Sequence, residues 1–529
     1  MSLLVISTWG FSGSWKRVTY RLDDLRKVLE TPLSSEVISC NVLKLFKGEN
    51  IRRVILLPIT LLDTKVNNFE EAEDVIRNSI IASNPDDNCK RDLEEILHDS
   101  QVKVVLGSGY FLSNTNLNEF IVPFSSVLSD IYLKIYESLE EAYNNPRSEL
   151  RIILDITHGV NYYPVSLRAV VEKMLAIMSH RGRTKLYVAS SDPFISSRNS
   201  QSKDIEKKVL KYHIIEWREF PKSKVFSMTS NIKLKSIVRS RDELNTQLRG
   251  LKSIVKYIKL LEVPSILAWS YLKYKLYEPL NKCDKNSIDK AKELLEEIKK
   301  EAKRFSIEGN KFIFPKEFDP EGIFDLISLI EIGRALSDLN GKIEDNLYVV
   351  NLKDLKSYNE RYSEYMEAVS KHLWKKEFDD LVRAVELYRE RILDANEALE
   401  VIPLNGIEKL ELDNILIDKL KKMEKRKIQR KLEELRSLIS MGWLPYSFLK
   451  VEARKKNGED KDESKDKEYL LKELIKEALW WAVWDNSLNE NYVRNFIAHA
   501  GLEKNLTFVS SESVGYYIPY LEQIISIMK

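Results

Sequence analysis

Cysteine is nearly absent from this chain of 529 residues: there are three, Cys40, Cys89 and Cys283. They lie far apart along the sequence and make neither a metal-ligand spacing nor a disulfide pattern, which predicts a reducing compartment, the cytoplasm. An excess of charge of one sign is also missing. Lys and Arg total 83 against 81 Asp and Glu, a formal net charge of +2. No global basic field draws the chain to nucleic acid, so any RNA contact is expected from local patches. No apolar run reaches membrane-spanning length and no basic segment precedes an apolar one at the N-terminus, so neither membrane insertion nor secretion is expected. No carboxylate cluster has the spacing of a metal site. No G-x-G-x-x-G or Walker pattern points to a dinucleotide or nucleoside triphosphate. Glutamine is scarce beside abundant Lys, Glu and Ile, as in thermophile chains.

What is present divides into two halves. The length predicts two or three domains, and 43% hydrophobic with 31% charged residues describes a globular chain with a heavily charged surface. Over the first two hundred residues, short apolar runs alternate with helical patterns. Leu3 to Thr8, Val54 to Pro58, Val102 to Leu106, Leu150 to Ile156 and Lys185 to Ala189 read as strands. Helical periodicity covers 67–81, 119–143 and 162–180. Strand, polar loop and helix in repetition predict an α/β domain with a mostly parallel sheet. Its strands read as continuous apolar runs because they are buried on both faces.

Small polar residues follow the strand ends. Thr8, Trp9, Gly10, Ser12, Ser14 and Trp15 follow the first strand; Gly107, Ser108 and Gly109 a later one; Asp155, Thr157, His158, Gly159 and Asn161 another. Open parallel sheets bind ligands at that end. Glycines admit a ligand close to the backbone, and exposed amides and hydroxyls suit phosphates. The plainer reading of His158 is a hydrogen-bonded structural histidine at a strand end.

Beyond about residue 215 the character changes. Lys211 to Ile215 reads as a last strand and 217–230 as a connector; from 232 the pattern is overwhelmingly helical. Phe305 to Gly322 reads as a loop with a small hairpin, and 452–468 as a charged, solvated insertion. Only two histidines fall in this half. One lies in Arg494-Asn495-Phe496-Ile497-Ala498-His499. On a helix Asn495 and His499, four apart, share a face, while Arg494 is offset by about 140°. Two such helices face to face would bring two Arg and two His together, which implies a dimer. An Arg and a His are what metal-free RNA cleavage requires. His499 moves protons for attack by the 2′-hydroxyl, Arg494 steadies the charge on phosphorus, and Asn495 positions it. Trp480, Trp481 and Trp484, at helical spacing nearby, read as core.

With these residues in place, the chain resembles the CRISPR-associated ribonucleases of type III systems. Such proteins carry an N-terminal CARF domain and a C-terminal HEPN domain. Arg494, Asn495 and His499 fit the HEPN pattern; Thr8-Trp9-Gly10 and Asp155-x-Thr157-His158-Gly159 fit the CARF loops. The resemblance implies a Rossmann-like CARF domain over 1–215, a linker over 216–250 with helix-turn-helix character, and an all-α HEPN domain over 251–529. It implies an allosteric endoribonuclease in antiviral defence. Cyclic tetra-adenylate would be the activator, bound across a homodimer axis, and single-stranded RNA the substrate, cut to a 2′,3′-cyclic phosphate. Assembly beyond the dimer stays open. So do two alternatives: a regulator that binds the cyclic nucleotide without nuclease activity, and a CARF domain that also degrades its ring.

Overall fold

The computed structural model describes residues 2–29, 36–40, 51–112, 117–143, 149–158, 162–192, 209–240, 242–279, 285–402, 412–451, 463–484 and 490–528. The chain forms two units: 1–252 with 288–332, and 253–287 with 333–529.

Unit 1 is built on ten strands from its first segment: β1 (Ser2–Thr8), β2 (Arg17–Arg21), β3 (Glu36–Cys40), β4 (Ile51–Pro58), β5 (Gln101–Val105), β6 (Gly109–Leu112), β7 (Leu117–Ile121), β8 (Glu149–Asp155), β9 (Arg183–Ser191) and β10 (Val209–Phe220). Two more, β11 (Ser306–Glu308) and β12 (Lys311–Ile313), come from its second segment. The main sheet runs β3-β2-β10-β9-β8-β1-β4-β5. Its centre, β5-β4-β1-β8-β9, is parallel throughout. After β1 the chain first forms the β3-β2 edge, then adds β4 and β5 on one side of β1 and returns to its other side as β8, followed by β9. The switch point therefore falls between β1 and β8, whose side chains Leu4, Ile6, Ile152, Ile153 and Leu154 are all buried. The long parallel strands expected from the apolar runs are present. The last strand is longer than expected, because β10 carries a register shift between Ile214 and Glu216 that breaks its alternation.

Four departures from expectation have physical reasons. The helix expected from 119 begins at Phe124, after Pro123, because Leu117–Ile121 is strand β7. The region read as a linker, 216–250, is integral to unit 1, as are helix Ser287–Ala302 beyond its start and the β11–β12 hairpin. Strand β12 pairs in parallel with β7, and Phe312 stacks on Phe120 at 4.7 Å. Helical periodicity marks an apolar face without saying which core it joins. Gly322 shows how close that return is: a Cβ there would lie 1.6 Å from the carbonyl oxygen of Ser236. Finally, Cys89 is disulfide-bonded, against the expectation from spacing, since separation along a chain does not measure separation in the fold. The cysteines therefore carry no argument about compartment.

Unit 2 is helical but not all-α. It contains an antiparallel sheet of β13 (Lys342–Glu344), β14 (Leu347–Asn351), β15 (Leu444–Pro445), β16 (Thr507–Val509) and β17 (Ser513–Tyr517), in the order β13-β14-β17-β16-β15. These strands are two to five residues long, too short to show a period of two. Of the expected insertion, 452–462 lie outside the described residues, and Glu463 already begins helix Glu463–Val483. Trp481 and Trp484 are buried in the core as expected; Trp480 is half-buried, with Lys419 Nζ 4.6 Å from its ring centre.

Helix Pro320–Ala335 buries a charge in unit 1. Glu331 is 0% exposed and accepts from Tyr136 Oη at 2.7 Å and from Arg181 Nη2 at 2.6 Å and Nε at 2.8 Å, with His180 Nε2 at 2.9 Å. Burial opposes its charge, but the His180 hydrogen bond and the Arg181 charge outweigh it and hold the carboxyl below its ordinary value of 4.5. A carboxyl depressed in the folded state stabilises the fold above its unfolded pKa, and that contribution is lost as pH falls through the folded one. Glu331→Ala, which strands Arg181, is expected to cost about 3–5 kcal/mol at pH 7. Urea unfolding, with hydrogen exchange in helix Phe124–Tyr143 as local readout, measures it. The gap between wild type and variant should narrow below about pH 4.5. An equal gap at pH 3 and pH 7 would locate the loss in packing instead.

Candidate functional site

The residues singled out for the two expected sites fall one set in each unit. In unit 1 the loops after β1 and β8 meet at the switch point. Thr8 ends β1 and is buried, and its hydroxyl donates to the carbonyl of His158 at 2.8 Å. At the end of β8, Asp155 Oδ1 accepts from the N–H of Thr157 at 2.9 Å. Thr157 Oγ1 in turn accepts from the N–H of Ser191, at the end of β9, at 3.0 Å. Three adjacent strand ends are thus tied together by side chains that strand geometry delivers there. Asp155 is buried and turned inward. Burial first, and then its carboxylate, push the phenols of Tyr20 and Tyr212 well above their ordinary value. It caps the loop and offers no anion to a phosphate.

The first loop is packed rather than open. Trp9 is buried, with its ring edge-on to Trp15 at 5.5 Å, and Trp15 lies 5.1 Å from the His158 ring at 35°. Ser12 is fully buried and its hydroxyl bonds to Ile80 O and to Ser83 Oγ. Asn84 Nδ2 donates to the carbonyls of Ser12 at 2.8 Å and Trp15 at 3.2 Å. Gly10 is buried with them. The expectation that Trp9 and Ser12 face a ligand does not fit this packing: an indole and a hydroxyl beside apolar helices are drawn inward. Thr157 and His158 remain half-exposed, His158 resting on Trp15. The side chain of Ser14, and Gly159 and Asn161, lie outside the described residues.

Gly107, Ser108 and Gly109 form the turn from β5 into β6. Asp130, fully buried and raised in pKa chiefly by that burial, accepts from the N–H of Leu106 at 2.8 Å; Tyr163 Oη donates to the Leu106 carbonyl at 2.6 Å. A Cβ at Gly107 would sit 2.4 Å from that Tyr163 oxygen, so glycine is required for the approach. Ser108 is exposed, and with Gly109 it opens on a shallow cavity of about 400 Å³ whose far wall includes Tyr110 and Glu119.

In unit 2 the motif lies on helix Glu490–Ala498. Arg494, Asn495 and His499 are exposed, whereas Phe496 and Ala500 are buried and anchor the helix. The helix stops at the histidine. Gly501, at φ +77°, donates its N–H to the Phe496 carbonyl at 2.7 Å, and Ala500 also takes a positive φ. This is the left-handed cap that favours glycine, and here a Cβ would also meet Ser265 at 2.6 Å. The exposed arc presents Asn495 and His499 as the helical spacing predicts. One contact was not visible in the sequence: Glu377, on helix Ala368–Glu386, places Oε1 3.2 Å from His499 Nδ1. Among the described residues no group of His, Cys, Asp and Glu is placed to hold a metal, and no helix is long and apolar enough to cross a membrane.

Residues 4–193 match the family model described as CRISPR system endoribonuclease Csx1, CARF domain. Unit 1 carries a CARF domain. A protein of Methanocaldococcus jannaschii named CRISPR system endoribonuclease Csx1 is 26% identical to this chain over 217 residues, 41% of this chain and 40% of that protein. The chain thus matches about two fifths of the relative's length. The CARF match ends two residues beyond β9, so it takes in both loops of the switch point and the Gly107 turn.

Sequence reading missed the residues that hold the CARF loops: Asp130, Asn84 and Tyr163. Only Tyr163 had a visible signal, its place at the start of a helix beside Pro164. The Thr8 bond across β1 and β8 is open to test. Thr8→Val keeps the shape and leaves the His158 carbonyl without its donor. It is expected to destabilise unit 1 by about 1 kcal/mol, read by denaturant unfolding. No change would mean that the loop after β8 is held without Thr8.

Proposed function

We propose that the chain is a cytoplasmic CRISPR-associated endoribonuclease whose CARF domain senses a cyclic oligoadenylate, cyclic tetra-adenylate first, and whose unit 2 is a HEPN nuclease acting on single-stranded RNA. The observation that carries the nuclease half is the exposed arc of Arg494, Asn495 and His499 on a helix capped directly after the histidine. Exposed Arg and His with a buried anchor between them suit a polyanion substrate better than a core role.

The chemistry needs no group beyond these residues and the RNA. His499 accepts the 2′-hydroxyl proton as that oxygen attacks phosphorus, and the proton serves the departing 5′-oxygen. Arg494 meets the charge gathering on the phosphoryl oxygens, and Asn495 supplies a hydrogen bond. Products are a 2′,3′-cyclic phosphate and a 5′-hydroxyl. One motif helix presents a ridge, and a homodimer would pair two ridges. In the CARF domain, Thr157, His158, Ser108 and Gly109 are the accessible residues of the strand-end crevice and would meet the ring. A symmetric ring asks for a symmetric pocket from two protomers. The ring activates only to the extent that it binds the active arrangement better.

Purified protein with labelled RNA in EDTA, with and without cyclic tetra-adenylate, tests both halves. Cleavage is expected only with the ring. His499→Ala and Arg494→Ala should each lower the rate by roughly 10²–10⁴-fold. Ring binding without cleavage, whatever the RNA, would favour the regulator reading. Loss of the ring over time in a His499→Ala sample would assign its degradation to the CARF domain.

A further inference from the structure

Two of the glutamates buried among the described residues, Glu331 and Glu377, are treated very differently. Glu331 is satisfied on both oxygens by Tyr136, Arg181 and His180. Glu377 is nearly as hidden, its side chain 9% exposed, yet among the described residues its one hydrogen bond reaches His499 Nδ1. Its other oxygen is buried without a hydrogen bond, with Lys450 Nζ at 3.9 Å. Burying a carboxylate is costly unless donors surround it. A carboxylate kept for stability alone would be furnished like Glu331. Glu377 is furnished for the imidazole.

The geometry also fixes the ring. A carboxylate only accepts, so Nδ1 must carry the proton it offers. Nε2 is then the nitrogen with a free lone pair, on a side chain that is 49% exposed. We propose that Glu377 is the positioning residue of His499: it holds the imidazole as the Nδ1–H tautomer and turns Nε2 toward the RNA. The role rests on the ribonuclease reading above. In the step itself the 2′-oxygen–phosphorus bond forms and the phosphorus–5′-oxygen bond breaks. The proton gained at Nε2 is the one the 5′-oxygen requires, so the cleavage is proton-neutral, and Glu377 keeps the Nδ1 proton throughout. Glu503, buried and close enough for the His499 charge to act on it, is already engaged by the amides of Asn505 and Leu506 and does not compete for the ring.

The test uses the full chain labelled with ¹⁵N-histidine. Six histidines are present, and His499→Ala assigns the signal. The wild type should show Nδ1 protonated and Nε2 bare in the neutral ring. Glu377→Ala should shift that ring toward the Nε2–H form favoured in free imidazoles. In ring-activated RNA cleavage, Glu377→Gln should lower kcat by roughly 10–100-fold while KM stays within about twofold, and it should add nothing further in a His499→Ala background. A bare Nδ1 in the wild type, or a Glu377→Gln enzyme with unchanged kcat, overturns the proposal. Should the variants fail to fold, the wild-type spectrum alone decides the tautomer. A wild type that cleaves no RNA with any ring removes the ribonuclease reading and the positioning role with it, while the spectrum still reports whether Glu377 holds the ring.

Discussion

A parallel strand buried on both faces has no wet side, so its polar chemistry is confined to its ends. Strands β1 and β8 are such strands, and the sheet order makes them neighbours whose next partners in the parallel core, β4 and β9, lie on opposite sides. Everything distinctive in unit 1 follows from that. Thr8 and Asp155 are the residues at which apolar burial gives out, and both spend their side chains on the backbone of the loop after β8. The crevice is not a gap left between loops. It is a surface whose backbone is held in place by groups already inside the protein.

The same economy explains why residues that look alike in sequence differ in availability. Ser12 and Ser108 both follow strand ends beside glycines. Ser12 lies within reach of the last turn of helix Phe69–Ser83 and is absorbed by Ile80 and Ser83. Ser108 sits on a turn pulled inward at Leu106 by Asp130 and Tyr163, which leaves the next residue outside. Trp9 and Trp15 are consumed in the same way: two indoles pack on each other, and the second makes a floor for His158. A rigid floor under a half-exposed imidazole is useful at a ligand surface, because the cost of ordering it falls in folding and not in binding.

How much of this was legible varies with the range of the interaction. The parallel strands were legible, because two-sided burial writes a local pattern of consecutive apolar residues. The small antiparallel sheet of unit 2 was not, since β14 and β17 pair across more than 160 residues and neither is long enough to alternate visibly. The return of 288–332 to the first unit was equally silent: Phe120 against Phe312 and Gly322 against Ser236 are contacts that no window contains. The motif helix was readable, because Arg494, Asn495 and His499 lie within two turns; its end, at the left-handed turn of Ala500 and Gly501, was not. Glu377 was invisible, one acid in a charged stretch, distinguished only by what the fold brings to it.

That asymmetry bears on how a short motif becomes a site. The sequence Arg-Asn-x-x-x-His specifies a face of a helix, and a helix face alone leaves an imidazole free to rotate and to take either tautomer. The protein restricts it from two sides. The left-handed turn at Ala500 and Gly501 ends the helix, so His499 sits at its last turn with the chain curling beneath it. Glu377 then approaches Nδ1 from a separate helix. The helix end sets where the ring stands, and the carboxylate sets which nitrogen is spent on the protein and which is left for the substrate. A motif of this length recurs by chance in many chains; a histidine constrained both by its backbone and by a buried acid with no other hydrogen-bond partner among the described residues does not arise from the motif alone. The chemical information lies as much in helix Ala368–Glu386 as in the six residues that first draw attention.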